Sequence, residues 1–135
     1  MVTANFMDKI DMTKKEMLEK KKWAVIGVTE DKTRYGYKIF KKLKEKGYTV
    51  YGINPKYSEI DGDKIYSSIK EIPEKVDCVN MLVNPKISLK MLEDIVEQGI
   101  KYVWFQPGSF DEETIDKAEK LGLNIVFYDC LYVEL

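Results

Sequence analysis

Apolar residues in this chain gather in five short runs: Trp23 to Val28 (WAVIGV), Tyr48 to Ile53 (YTVYGI), Val76 to Val83 (VDCVNMLV), Lys101 to Phe105 (KYVWF) and Asn124 to Tyr128 (NIVFY). Apolar residues at consecutive positions, many of them β-branched or aromatic, are the pattern of strands covered on both faces. Between the runs the period changes. Residues 37 to 46 carry Ile39, Phe40 and Leu43 at helical spacing and stop at Gly47, and residues 88 to 98 carry Leu89, Leu92, Ile95 and Val96 and stop at Gly99. Residues 111 to 121 form a polar-faced helix whose opening acids suit its N-terminal dipole. The stretch 54 to 75 is less regular, with a short strand expected at Lys64 to Tyr66 and a helical turn at Ser67 to Ile72. Residues 5 to 20, with Phe6, Ile10 and Met17 among charges, read as a surface helix packing one edge on the domain.

Strands separated by helices of about 10 to 15 residues imply right-handed βαβ units and a parallel sheet covered on both sides. The expected fold is therefore α/β: a single doubly wound domain with a mainly parallel sheet of five or six strands and an N-terminal helix. The division expected is a helix within residues 1–22 packed on a domain spanning 23–135. A chain of 135 residues can bury a sufficient core without a disulfide or metal staple.

The composition excludes several chemistries. There is no histidine, so neither Ser-His-Asp nor Cys-His catalysis, phosphohistidine nor His-ligated metal is available, and two cysteines cannot build a four-thiolate cage. No metal site is expected. A formal net charge of -1 excludes a globally basic nucleic-acid binder. No apolar run approaches the roughly 18 residues of a membrane span, and the acids at positions 8, 11, 16 and 19 are foreign to a signal peptide. A cytoplasmic protein with free thiols is expected, without membrane or nucleic-acid partners.

In doubly wound sheets ligands bind beyond the carboxyl ends of the strands, at the point where strand order reverses. The residues there are Gly27-Val28-Thr29 after the first run, Asn54-Pro55-Lys56 after the second, Asn84-Pro85 after the next, Gln106-Pro107-Gly108 and finally Asp129-Cys130. The first connection, Gly27 to Gly36, leads into a helix whose amides, with Lys32, Lys38 and Arg34, the only arginine, suit a diphosphate. It lacks the middle glycine of the usual dinucleotide fingerprint. A solvated basic helix beside an ordinary loop is the competing reading. After the second run, where NAD-binding folds place an acid for the ribose hydroxyls, stands Lys56. A cation there favours a phosphorylated ribose, that of NADP or of the 3′-phospho-ADP of coenzyme A. Taken alone, Asn54-Pro55-Lys56 reads more readily as a turn with an exposed lysine, and it points to a ligand only together with the phosphate loop.

The order WAVIGVT, a basic loop closing on Gly36, YTVYGINPKY, VDCVN with Asn84-Pro85, VWFQPG and DCLYVE resembles the small stand-alone CoA-binding proteins. These are similar to the N-terminal, CoA-binding Rossmann domain of the succinyl-CoA synthetase alpha subunit. The resemblance runs from about Trp23 to the C-terminus. It implies a nucleotide-binding site for coenzyme A in which Gly27, Val28, Thr29, Lys32, Arg34, Tyr35 and Gly36 hold the diphosphate. Asn54, Pro55 and Lys56 would lie near the phosphorylated ribose and adenine, and Val83, Asn84 and Pro85 along the pantetheine path, with Gln106 and Cys130 completing the rim. The chain departs from the family at Val28-Thr29, where an Ala-Ser pair is common, at Asn84, where a basic residue is frequent, and at Glu134-Leu135, where Glu-His is usual.

Cys130, on this rim, could form a mixed disulfide with a CoA thiol, although a free cysteine more often acts as a small buried hydrophobe. Cys78 belongs to the core pattern. The expected function is to bind coenzyme A or an acyl-CoA as a non-catalytic carrier, sensor or thiol-redox module. The ligase chemistry of the larger relative depends on a phosphorylated histidine and a second domain that this sequence does not contain. The alternatives are an NADP-binding reductase or redox sensor, and a regulatory interaction domain with a vestigial nucleotide pocket. A protein partner or a homo-oligomer stays open.

Overall fold

A computed structural model describes residues 4–135 of the chain, with side chains from residue 7 onward. The elements in order are α1 (Ala4–Glu19), β1 (Lys22–Ile26), α2 (Tyr35–Glu45), β2 (Thr49–Ile53), β3 (Glu59–Ile60), β4 (Asp63–Tyr66), a 3₁₀ turn (Ile69–Glu71), β5 (Cys78–Met81), α3 (Pro85–Glu97), β6 (Tyr102–Phe105), α4 (Glu112–Lys120), β7 (Asn124–Val126) and α5 (Leu131–Glu134). They form one sheet of order β3-β4-β2-β1-β5-β6-β7. All pairings are parallel except β3 with β4. Without β3, the order is that of the Rossmann fold. The chain is α/β with a mainly parallel sheet, and the reversal of strand order lies between β1 and β5.

The strands form where the apolar runs predict, because both faces of the central strands are covered. Trp23 to Ile26 on β1, Cys78 to Met81 on β5 and Val103 to Phe105 on β6 are all buried. Helices supply the covering layers. α2 turns Ile39, Phe40 and Leu43 inward, and α3 turns Leu92 and Ile95 inward. Two side chains cap helix starts: Asn84 accepts a hydrogen bond from the Ile87 amide and Asp111 from the Thr114 amide. Burial pushes the Cys78 thiol up, with the Asp77 charge adding to the effect.

The sheet has seven strands rather than five or six because residues 59–66 close a hairpin. Asp61 and Gly62 both take positive φ (51° and 85°), the geometry of a two-residue type I′ turn, which pairs β3 antiparallel to β4. The first and last runs end earlier than expected for related reasons. Gly27 turns the chain at φ 107°, and Tyr128 adopts φ 78°, a left-handed conformation incompatible with a continuing strand. A single helical turn, α5, follows where no element was expected.

α1 is a surface helix that buries Met17 completely and Ile10 nearly so. The inward role expected of Phe6 lies outside the described side chains. The helix is held to the sheet by polar bonds as well. The Tyr48 hydroxyl donates to the Leu18 carbonyl, and the Tyr102 hydroxyl donates to the Glu16 carboxylate at 2.7 Å.

One contact fixes how α2 leaves β1. A Cβ on Gly36 would stand 2.5 Å from the Gly27 carbonyl oxygen, a distance real Cβ atoms do not reach. Both atoms of that clash belong to backbone, so relief requires moving the helix start. Gly36→Ala should therefore destabilise the fold by about 1–3 kcal/mol, the usual cost of overpacking. A urea denaturation midpoint equal to wild type would show instead that α2 shifts freely.

Candidate functional site

At the carboxyl ends of β1, β2, β5 and β6 the chain encloses a cavity of about 720 Å³. This is the size range of small-molecule sites and the place where doubly wound sheets bind ligands. Gly27, Val28, Thr29, Arg34, Tyr35 and Gly36 form one wall, Asn54, Lys56 and Tyr57 a second, and Leu82, Val83, Gln106, Pro107, Cys130 and Val133 the remainder.

Eleven of the fifteen residues expected from the sequence are thus brought together. Lys32, Pro55, Asn84 and Pro85 are placed outside the lining. The Asn84 carboxamide oxygen is engaged in capping α3, and Pro85 is the first residue of that helix. Pro107, from the Gln106-Pro107-Gly108 connection, also lines the cavity, and three further lining residues are not among those expected. Tyr57 directly follows Lys56, and Leu82 directly precedes Val83. Val133 stands on α5, which the chain pattern does not announce.

The two loops of the first walls are bound to each other. The Asn54 side-chain amide donates to the Val28 carbonyl at 2.9 Å while its oxygen accepts from the Lys56 amide, also at 2.9 Å. The Thr29 and Tyr57 hydroxyls lie 3.2 Å apart. Arg34 occupies the N-cap position of α2 without a side-chain cap bond, leaving the start of an eleven-residue helix turned to the cavity. Arg34 and Lys56 form no salt bridge among the described residues, and no carboxylate lines the cavity among them. The electrostatics of this end suit an anion.

Lys38 lies over the ring of the cavity residue Tyr35, 5.3 Å from its centroid, while three further cations of the basic stretch are directed elsewhere. Lys41 pairs with Asp61 at 3.4 Å, Lys44 pairs with Asp63, and Lys42 donates to the Tyr132 carbonyl at 2.9 Å. The α2 cations thus tie the β3-β4 hairpin and the C-terminal segment to the helix.

The far wall is built around Gln106, which is 3% exposed. Its carboxamide oxygen accepts from the Leu131 amide at 2.7 Å and from the Asn80 side chain at 3.3 Å. That orients its nitrogen toward Cys130 Sγ, 3.3 Å away. Cys130 is free and half-buried, and Asp129 before it presents its carbonyl to the Trp104 indole N–H at 2.9 Å.

A Rossmann-like α/β domain with a cavity at the reversal of its strand order is the class of protein these features define. The chain belongs to the CoA binding domain family, whose model matches residues 21–135. It is 35% identical over 119 residues to the alpha subunit of an ADP-forming acetate–CoA ligase II of Pyrococcus furiosus, an alignment covering 80% of this chain and 26% of that subunit. The chain thus spans about a quarter of that relative's length. It is 28% identical over 120 residues to the uncharacterized protein YneT of Bacillus subtilis, covering 88% of this chain and 89% of YneT. Among solved structures, a hypothetical protein from Pyrococcus horikoshii superposes with a TM-score of 0.85 at 35% identity, covering 92% of this chain and 87% of that one. Among the described residues no helix is long and apolar enough to cross a membrane.

Asp31 shapes the loop at the cavity mouth. Its carboxylate accepts from the Thr33 hydroxyl at 2.7 Å and from the Thr33 amide at 3.0 Å, and these bonds hold its pKa below the ordinary 3.8. A depressed carboxylate contributes stability that is present above 3.8 and is lost as pH falls through the lower folded-state value. In an NMR titration the Asp31 carboxyl should have its midpoint below 3.8 and move back toward it in Thr33→Val. A wild-type midpoint at or above that value would remove the assignment.

Proposed function

We propose that the chain binds coenzyme A or an acyl-CoA in this cavity as a non-catalytic carrier, sensor or thiol-redox module. The observation that carries this reading is the polarity of the cavity. Its lining combines the open start of α2, Arg34 and Lys56 with the uncharged side chains of Leu82, Val83, Cys130 and Val133. Coenzyme A needs both kinds of partner, with phosphates on its nucleotide and a thiol at the end of a neutral arm. The diphosphate would lie on the Gly27 to Gly36 wall, where backbone amides and a guanidinium give charge-assisted hydrogen bonds. The 3′-phosphate would lie near Lys56, and the pantetheine arm would run toward Cys130. Lys32, Pro55, Asn84 and Pro85 stand at the margin of this site and would meet only the outer parts of the ligand. The absence of histidine from the sequence supports a carrier, sensor or redox role over ligase chemistry.

Thermal-shift titration with CoA, dephospho-CoA, NADP and NAD tests this reading, because a ligand that binds only the folded state raises its melting temperature. CoA should stabilise the protein, dephospho-CoA less so, and Lys56→Ala should abolish the difference between them. Arg34→Ala should weaken CoA by about 1 to 3 kcal/mol, the loss of a charge-assisted hydrogen bond. A response to NADP alone would reassign the cavity, and no response to any nucleotide would leave it vestigial.

The thiol-redox role makes a separate prediction. In the exchange, the Cys130 sulfur attacks one sulfur of CoA disulfide. The old S–S bond breaks, a Cys130–CoA disulfide forms, and the other CoA departs as its thiolate. Incubation with CoA disulfide should add one reducible CoA mass to wild type and none to Cys130→Ser. Addition at Cys78, or no addition, would end the role.

A further inference from the structure

We propose that α1 is a strap that positions the C-terminal wall of the cavity, with Lys14 as its positioning residue; the proposal builds on the coenzyme A reading of that cavity. α1 lies ahead of the span matched by the family model, residues 21–135. Lys14 is nevertheless turned in toward the end of the chain, its side chain only 17% exposed. Its ammonium stands 3.1 Å from the Asp129 carboxylate, 3.3 Å from that of Glu134 and 3.6 Å from that of Asp11. Asp129 directly precedes Cys130, and Glu134 directly follows Val133, so the lysine grips both flanks of the two residues that this segment contributes to the cavity.

The segment needs such a grip. α5 is one turn of four residues, too short to hold its own conformation, and the chain enters it through Tyr128 at a left-handed φ of 78°. Its other tethers come from the sheet and α2: the Trp104 indole to Asp129, the Gln106 carboxamide to Leu131 and Cys130, the Lys42 ammonium and the Tyr35 ring to Tyr132, and the buried Leu131 side chain. Among the described residues Asp129 and Glu134 form no salt bridge except with Lys14. Without it, three carboxylates would face one another.

The strap is anchored at its other end, which lets it transmit position rather than follow the segment. Met17 is fully buried, the Leu18 carbonyl accepts from Tyr48, and Glu16 accepts from Tyr102. These contacts fix the helix on the body of the sheet one turn from Lys14.

The test uses the full chain with Lys14→Met, Lys14→Arg and, as a control one position along the same helix, Lys15→Met. The alkylation rate of Cys130 by iodoacetamide is read by peptide mass without ligand, and CoA affinity by calorimetry. Lys14→Met should speed Cys130 alkylation and weaken CoA, each by about two- to fivefold, the range for a partly exposed ion pair. Lys14→Arg should restore both, Lys15→Met should change neither, and adding Asp129→Asn and Glu134→Gln to Lys14→Met should cost nothing further. Should Lys14→Met fail to fold, the Asp129→Asn, Glu134→Gln variant with Lys14 intact replaces it. Wild-type values of both readouts in Lys14→Met, or an equal change in Lys15→Met, overturns the strap. If wild type takes up no CoA, the coenzyme A reading falls, and the alkylation rate by itself decides whether α1 positions the wall.

Discussion

The fold turns on the close approach of two backbones where β1 hands over to α2. Gly27 reverses the chain at a positive φ, and Gly36 returns it to within a distance of the Gly27 carbonyl that admits no side chain. This brings the start of α2 over the end of the central strand. The open N-terminus of the helix, Arg34 and the Thr29 hydroxyl then face one space. β5 runs on the other side of β1, so that space lies where the strand order reverses and no connection crosses it. The cavity is thus a consequence of topology and of two residues without a Cβ.

Charge is allocated with equal economy. The basic stretch has the look of a single anion-binding surface in one dimension, but the helix distributes its cations by face. Those that point along the sheet edge hold the acidic hairpin tip and the Tyr132 carbonyl, while Arg34, at the helix start, is left toward the cavity. Lys14 performs the equivalent task for the acids of the C-terminal segment. The cavity is bounded by elements pinned by opposite charges and keeps two cations of its own.

The fold was readable because its signals are local. Runs such as WAVIGV and KYVWF are apolar on both faces, and only a covered strand tolerates that; helices that stop at glycine follow from backbone conformation. The β3-β4 hairpin carried a signal in Asp61-Gly62, but flanking strands this short show no alternation. The wall residues at strand ends followed from topology. Asn84 could not be assigned in the same way, because one carboxamide can cap a helix or meet a ligand, and the choice depends on where the Ile87 amide lies.

The sequence by itself determined the α/β class, the parallel sheet, the strand ends that bear the site and the absence of histidine chemistry. All of these rest on side-chain type and period along the chain. Only the tertiary structure decided that Lys41 and Lys44 serve the hairpin, that Gln106 directs its amide to Cys130, and that a lysine of the first helix meets acids at positions 129 and 134. Such pairings join residues far apart in the chain. Their partners are selected by where packing brings each side chain, and no local pattern records that distance.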